Sequence, residues 1–193
     1  MGPIEDYLVE VVGWLRDNPF EVISIFIGNG DYVDVEDFVK PLKTSGIADM
    51  AYIPPPKRIL HYDEWPTLEE LITMGKRVIV FMDHRADETR VPYILTQFLH
   101  MWETKSSPMD DNFTCVVDKP AWLSKDGGYI YMANHNLNVE VEVFGIPILV
   151  PDKVNLNRSN AASGGYGTIG LAVEQCVGMF PPPLVRFCYF FVN

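Results

Sequence analysis

Residues 77–84 read Arg-Val-Ile-Val-Phe-Met-Asp-His, and the reading of that stretch decides the fold. An unbroken apolar run of this length, without polar alternation, describes a strand buried on both faces, the kind that fills a parallel sheet. It ends abruptly on two side chains that can do chemistry, Asp83 and His84. The design recurs upstream, where Glu-Val-Ile-Ser-Ile-Phe-Ile-Gly at 21–28 leads to Asn29 and Asp31, and downstream, where Tyr-Ile-Tyr-Met-Ala at 129–133 leads to Asn134 and His135. Parallel sheets place ligand sites at the carboxyl ends of their strands, so these polar tips are the first candidates for function.

Working outward, Thr67 precedes the acidic turn Glu69-Glu70 and an apolar helix, and Gly75 closes that helix just before the strand at 77–82. Ile4, Tyr7, Leu8, Val11, Val12, Trp14 and Leu15 follow helical spacing, and Asn18-Pro19 stops them. A short helix is expected over 35–42 and an extended piece over 50–53, halted by Pro54-Pro55-Pro56. Pro92 opens a second helix predicted over 91–102; a polar loop and a strand-like piece at 113–117 follow. Beyond the strand at 129–133, residues 151–166 read as loop or broken helix, 168–179 as helix, and 184–193 as a final buried strand after a proline run. Strand and helix alternate as right-handed βαβ units require, so the class is α/β, organised as one unit over 1–193. A closed eight-stranded barrel typically needs ~250 residues, so if this is a TIM-type (β/α) barrel it is incomplete and its opening strands are missing.

Composition narrows the function. The chain has 193 residues, 48% hydrophobic and 21% charged, with 15 Lys plus Arg against 26 Asp plus Glu for a net charge of -11. That balance, with no basic stripe, disfavours nucleic acid, and it would repel anionic lipid except at a local patch. No stretch approaches the ~20 apolar residues of a transmembrane segment, and the first residues lack the basic start and apolar core of a signal peptide. Asp6 stands where a myristoylation motif wants Ser or Thr. Cys115, Cys176 and Cys188 form neither a CxxC nor a metal spacing, and one is left over if the other two are bridged. The sequons at Asn112 and Asn157 tilt the reading toward the secretory pathway.

Each polar tip has two readings. Asn29-Gly30-Asp31 can present an amide and a carboxylate to a ligand or a divalent cation, or it is a simple tight turn. Asp83-His84 can form an acid/base pair or ligate metal, although neighbours on a regular strand point to opposite faces. Asn134-His135-Asn136 clusters amides and an imidazole, with His135 equally readable as a structural histidine bonded to a loop carbonyl. His61 and His100 receive no role, and Cys188 reads as a packed small hydrophobe in an apolar strand. The run from Ser163 to Gly167 resembles a phosphate-cradling loop but matches neither nucleotide-binding glycine pattern.

Taken in order, WLRDNPFEVISIFIGNGD, RVIVFMDHRAD, FLHMWETKSSPMDDNFTCVVDKP, YIYMANHNLN and SNAASGGYGTIG resemble the fungal phospholipase C-like phosphodiesterases, which are similar to the X domain of phosphatidylinositol-specific phospholipase C. The likeness runs over nearly the whole chain. It implies a distorted TIM-type barrel that cleaves phosphodiesters, ordinarily with a histidine pair acting as base and acid, while a divalent cation such as calcium or an Arg steadies the phosphoryl charge. The implied partner is a phosphodiester small molecule or a phosphoinositide headgroup, and the implied location of the full-length protein is secreted or cell-surface.

The resemblance also marks departures. The family's histidine pair belongs to strands upstream of the helix with which this chain opens, and none of His61, His84, His100 or His135 falls on it. What carries over as pocket-lining is Asn29, Asp31, Asp83, Asn134 and His135. At the last strand Cys188 stands where the family pattern has Asp, and Phe191 where it has Asn. The resemblance further implies a bridge between Cys115 and Cys176. Three functional expectations follow: a phosphoric diester hydrolase domain of lipid metabolism, inactive as this fragment; a non-catalytic remnant binding a lipid headgroup or sugar phosphate; and a metal-dependent hydrolase using Asp31, Asp83 and His135 as ligands.

Overall fold

The computed structural model describes residues 4–55, 59–123 and 128–179. The final strand expected over 184–193, with Cys188 and Phe191, lies outside the described residues. The rest falls into two compact units, one drawn from 1–60 and 64–100, the other from 61–63 and 101–193.

The first unit opens with helix α1, Ile4–Asp17, which buries Leu8, Val12 and Leu15. Those residues form one stripe of the helix, whereas Ile4, Tyr7 and Trp14 of the predicted apolar set remain exposed. Strand β1, Ile23–Ile27, follows. A 3-10 turn, Val35–Phe38, is capped by the Asp34 side chain and runs into helix α2, Val39–Thr44. Where an extended piece is predicted over 50–53, the chain first makes helix α3, Ile47–Met50, and only Ala51 bridges to Val78. Helix α4, Leu68–Thr73, starts in a full capping box: Thr67 accepts from the Glu70 amide and the Glu70 carboxylate accepts from the Thr67 amide. Strand β2, Val78–Met82, then pairs parallel with β1, with Ile25 opposite Val80 and Phe26 opposite Phe81.

All of β2 is buried, as its unbroken apolar pattern requires. In β1 only Ile27 is fully buried, because β1 stands at one end of the strand order. The two faces of β2 serve different packing layers. Val78, Val80 and Met82 join α1, α2 and α3 in the main hydrophobic cluster. On the opposite face Phe81 stacks on Phe26 at 5.2 Å and meets Trp65 at 6.0 Å. Arg77, just before β2, donates to the Leu15, Asn18 and Glu21 carbonyls, placing a cation at the C-terminal end of α1.

The helix predicted over 91–102 is not there. Its residues form strand β3, Ile94–Thr96, one helical turn α5, Gln97–His100, and strand β4, Met101–Glu103. Ile94 and Leu95 are both fully buried, and neighbours can be buried on opposite sides only in an extended chain. Tertiary pairing with β2, Val80 opposite Ile94, overrides the local helical pattern.

In the second unit β4 pairs parallel with β5, Ile130–Met132, and Trp102 stacks on Tyr131 at 4.9 Å. That aromatic face packs on the disulfide Cys115–Cys176, which closes a separation of 61 residues and has a Cα–Cα distance of 5.3 Å. The bond ties the loop after β4 to helix α7, Ile169–Met179. Residues 113–117 are not a strand; the nearby pairing is a single antiparallel bridge between Glu103 and Lys119. Strands β6, Asn138–Val143, and β7, Ile146–Pro151, make an antiparallel hairpin where the sequence reading assigns no element. Helix α6, Leu156–Ser159, supplies the broken helix expected over 151–166. Among the described residues the strands form three separate small sheets, and none closes on itself.

Candidate functional site

The first polar corner lies where β1 and β2 end. Asn29 is 2% exposed, and its amide hydrogen donates to Asp83 Oδ1 at 2.8 Å. Its side chain donates to the Val33 carbonyl at 2.9 Å and the His84 carbonyl at 3.0 Å, and accepts from the Val33 amide at 3.1 Å. An Asn amide has two donors and a carbonyl, and all are in use here. Asn29 therefore clamps two loops together rather than offering hydrogen bonds to a ligand. The Asn29 carbonyl accepts from the Tyr32 amide at 3.1 Å, so Asn29-Gly30-Asp31-Tyr32 is a β-turn with Asp31 exposed on it.

Asp83 and His84 lie beyond the last residue of β2, and alternation across a regular strand does not govern them. His84 Nε2 lies 3.8 Å from Asp83 Oδ2, and the next residue, Arg85, is held at φ 60°. Tyr32, itself at φ 54°, stacks on the His84 ring at 4.9 Å. Left-handed backbone at two side-chain-bearing residues beside one polar cluster is the kind of strain found at working sites. Chemically, the corner offers a part-exposed carboxylate beside an exposed imidazole. Further along the loop, Arg90 pairs with Asp34 and Glu36 at 3.0 and 2.9 Å, and its hydrogen bond holds the Asp34 carboxyl below the usual range.

Sequence reasoning missed a third group in this unit. His100 is 1% exposed, its Nε2 lies 3.2 Å from Glu88 Oε1, and its Nδ1 accepts from the Leu60 amide at 3.4 Å. An accepting Nδ1 leaves Nε2 as the donor to Glu88. Burial pushes the Glu88 carboxyl up, but the hydrogen bonds from His100 and the Thr96 amide outweigh it and hold the group below its ordinary value. The ring meets Trp65 edge-on at 5.9 Å.

The second unit has its own corner, at the ends of β4 and β5. Glu103 is 5% exposed; its Oε1 pairs with Lys119 Nζ at 3.0 Å and its Oε2 accepts from Asn134 Nδ2 at 3.5 Å. Asn134 also donates to the Thr104 carbonyl at 2.7 Å and, through its backbone amide, to Thr104 Oγ1 at 2.8 Å. Lys119 is half exposed and brings a cation to this strand end. Glu103, Thr104 and Lys119 went unread because they follow the segment predicted as helix; Met-Trp-Glu-Thr repeats the pattern of an apolar run ending on polar residues.

His135 is buried, stacks on Phe113 at 3.6 Å and donates from Nε2 to the Ser159 carbonyl at 2.8 Å. Burial pushes its pKa below 6.5, with only partial relief from the Ser159 bond, so the ring is neutral near pH 7. The bond to a loop carbonyl is the one that the structural reading expects. His61 stacks on Tyr129 at 4.9 Å. The glycine loop at 163–167 approaches the Arg158–Asp111 ion pair, where a Cβ on Gly167 would come within 3.1 Å of Asp111 Oδ2. The acid beside that glycine opposes a phosphate, and close packing explains the residue.

Asn29, Asp83 and His84 are thus brought together, as are Asn134, Glu103 and Lys119. The ligand set Asp31, Asp83 and His135 is not: among the described residues no three His, Cys, Asp or Glu side chains are grouped to hold a metal ion.

The PI-PLC X family model matches residues 1–189. A protein of Arthroderma benhamiae named an uncharacterized secreted protein is 45% identical over 193 residues, which cover 98% of this chain and 43% of that protein. A second protein of the same fungus, PI-PLC X domain-containing protein 1, is 42% identical over 181 residues, covering 93% of this chain and 57% of its own length. The chain spans about half the length of the curated relatives it matches. No solved structure matches it. With the family model covering almost every residue, the chain belongs to the PI-PLC X family.

Proposed function

We propose that these residues supply the downstream strands of a TIM-type phosphodiesterase barrel whose remaining strands lie outside them, and that the 193-residue chain alone binds a phosphodiester headgroup without turning it over. The observation that carries this reading is the state of the four histidines. His100 is held by Glu88 and Leu60 and His135 by Ser159 and Phe113, while the exposed His61 stacks on Tyr129 and the exposed His84 stacks on Tyr32 beside Asp83. Acid/base cleavage of a diester needs two imidazoles or equivalents addressing one phosphoryl group, and within each unit the described histidines belong to separate polar groups. Lys119 at the end of the second unit's strands supports a headgroup reading, since a cation beside a buried carboxylate can meet a phosphate edge. The substrate class proposed is an inositol phospholipid, in keeping with the name of the second relative.

Secretion belongs to the same proposal. It is supported by the name of the first relative, by the disulfide, and by the exposure of both sequon asparagines, Asn112 and Asn157.

The decisive assay measures release of water-soluble inositol phosphate from phosphatidylinositol by the purified chain, with calcium and with chelator. No release, together with saturable inositol phosphate binding weakened by Lys119→Ala, is the expected result. Turnover by this chain overturns the reading, and chelator-sensitive turnover lost in Asp83→Ala would restore the metal-dependent hydrolase.

A further inference from the structure

The two sequons meet within the second unit and are presented there in opposite ways. Asn112, Phe113 and Thr114 follow a turn in the loop after β4, where the Asn112 backbone amide donates to Asp110 Oδ1 at 3.0 Å. Phe113 is buried against the His135 ring at 3.6 Å, and the residues on either side of it, Asn112 and Thr114, are both exposed. Neither of those two side chains makes a hydrogen bond among the described residues. The Asn112 carboxamide and the Thr114 hydroxyl therefore stand free, flanking one inward anchor.

Asn157, Arg158 and Ser159 are instead wound into helix α6. Residues two apart on a helix do not face each other. Asn157 is accordingly exposed while Ser159 is 4% exposed, and the Ser159 hydroxyl is buried without a hydrogen-bond partner among the described residues. The two acceptors are neighbours in space. Arg158, next to Asn157, pairs with Asp111, next to Asn112, at 2.7 Å, and His135 meets both Phe113 and Ser159.

N-linked glycosylation reads an Asn together with the hydroxyl two residues on. The amide nitrogen attacks the anomeric carbon of an oligosaccharide carried on a lipid pyrophosphate. The nitrogen–carbon bond forms and the carbon–oxygen bond breaks; the pyrophosphate leaves with the electron pair, and the nitrogen gives up one proton. We infer that Asn112 is the glycosylated residue of this chain and that Asn157 stays bare, an inference that rests on the secretory reading above. The fold keeps amide and hydroxyl together at 112–114 and separates them at 157–159, and a glycan on Asn112 then occupies the face that both share. Order of synthesis favours the same residue. Cys176 follows Cys115 by 61 residues, so Asn112 passes the transferase before the disulfide beside it can close. A bulky glycan belongs on a surface, so the strands proposed to lie outside these residues pack against some other part of the unit.

The test sends the chain through the secretory pathway of a fungal host behind a supplied leader, so its outcome does not depend on how the native protein is exported. Chain from cells and medium together is compared before and after an amidase that removes N-linked glycans. One glycan step in gel mobility is expected, lost completely in Asn112→Gln and in Thr114→Ala and unchanged in Asn157→Gln and Ser159→Ala. Thr114→Ala keeps the asparagine and alters an exposed side chain, so loss in both variants of the first sequon reads the modification rather than the fold. No glycan on the parent, a step lost in Asn157→Gln, or a step that survives Asn112→Gln overturns the inference. Retention of the full-length protein inside its own cells would count against the secretory reading alone.

Discussion

The ends of β1 and β2 and the ends of β4 and β5 begin from the same sequence device, an apolar run finishing on Asn, Asp, Glu or His, and arrive at different chemistry. In the first unit the amide, Asn29, is spent on backbone groups of its own loops, leaving a carboxylate and an exposed imidazole at the surface. In the second the amide, Asn134, leans on a buried carboxylate that also holds a lysine, and the nearby histidine is sealed inside. The difference teaches that a polar residue at a strand end acquires its role from what the following loop leaves unsatisfied. Where the loop needs an internal clamp, the residue is consumed.

The sharpest break is covalent. Replacing Cys115 and Cys176 by Ser should destabilise the second unit by about 4 kcal/mol, from the entropy of the freed loop, while the first is little changed; unit-resolved hydrogen exchange in denaturant reads this directly. Next comes Asn29→Ala. It leaves the part-buried Val33 amide and two carbonyls without their partner and should cost about 2 to 3 kcal/mol in the first unit, measured by chemical denaturation. Asn134→Ala should cost less, about 1 to 2 kcal/mol, because its backbone bond to Thr104 survives and Glu103 keeps Lys119.

The smallest effect separates the corners by pH. His135 has a folded pKa below its unfolded value near 6.5, so its contribution is whole above 6.5 and is lost as pH falls through the folded pKa. Glu88 is also depressed, from 4.5, so its contribution in the first unit is present above that value and goes only in more acid solution. Acid titration followed by exchange should therefore loosen the second unit first, and His135→Phe should remove that early step.

How much of this was legible beforehand follows from particular residues. Val78–Met82 is read correctly because five consecutive apolar residues suit a doubly covered strand, and the Thr67 cap is read because an acidic first turn, Glu69-Glu70, follows it. The segment at 91–102 misleads because Pro92 imitates a helix start, while its true state is set by pairing with β2, which local pattern does not reveal. That error also hid Glu103. The hairpin carries the period-two signal in Val139, Val141 and Val143, but Phe-Gly is not a familiar turn pair. The role of Asn29 was out of reach, since its partners Val33 and His84 are defined only once two loops meet.

One consequence of the Cys115–Cys176 bond reaches the bench. Phe144–Gly145, an exposed turn, lies between the two cysteines, so a protease that nicks the chain there releases nothing. On a gel without reductant the clipped molecule would still run as one species, and only thiol treatment would expose the cut.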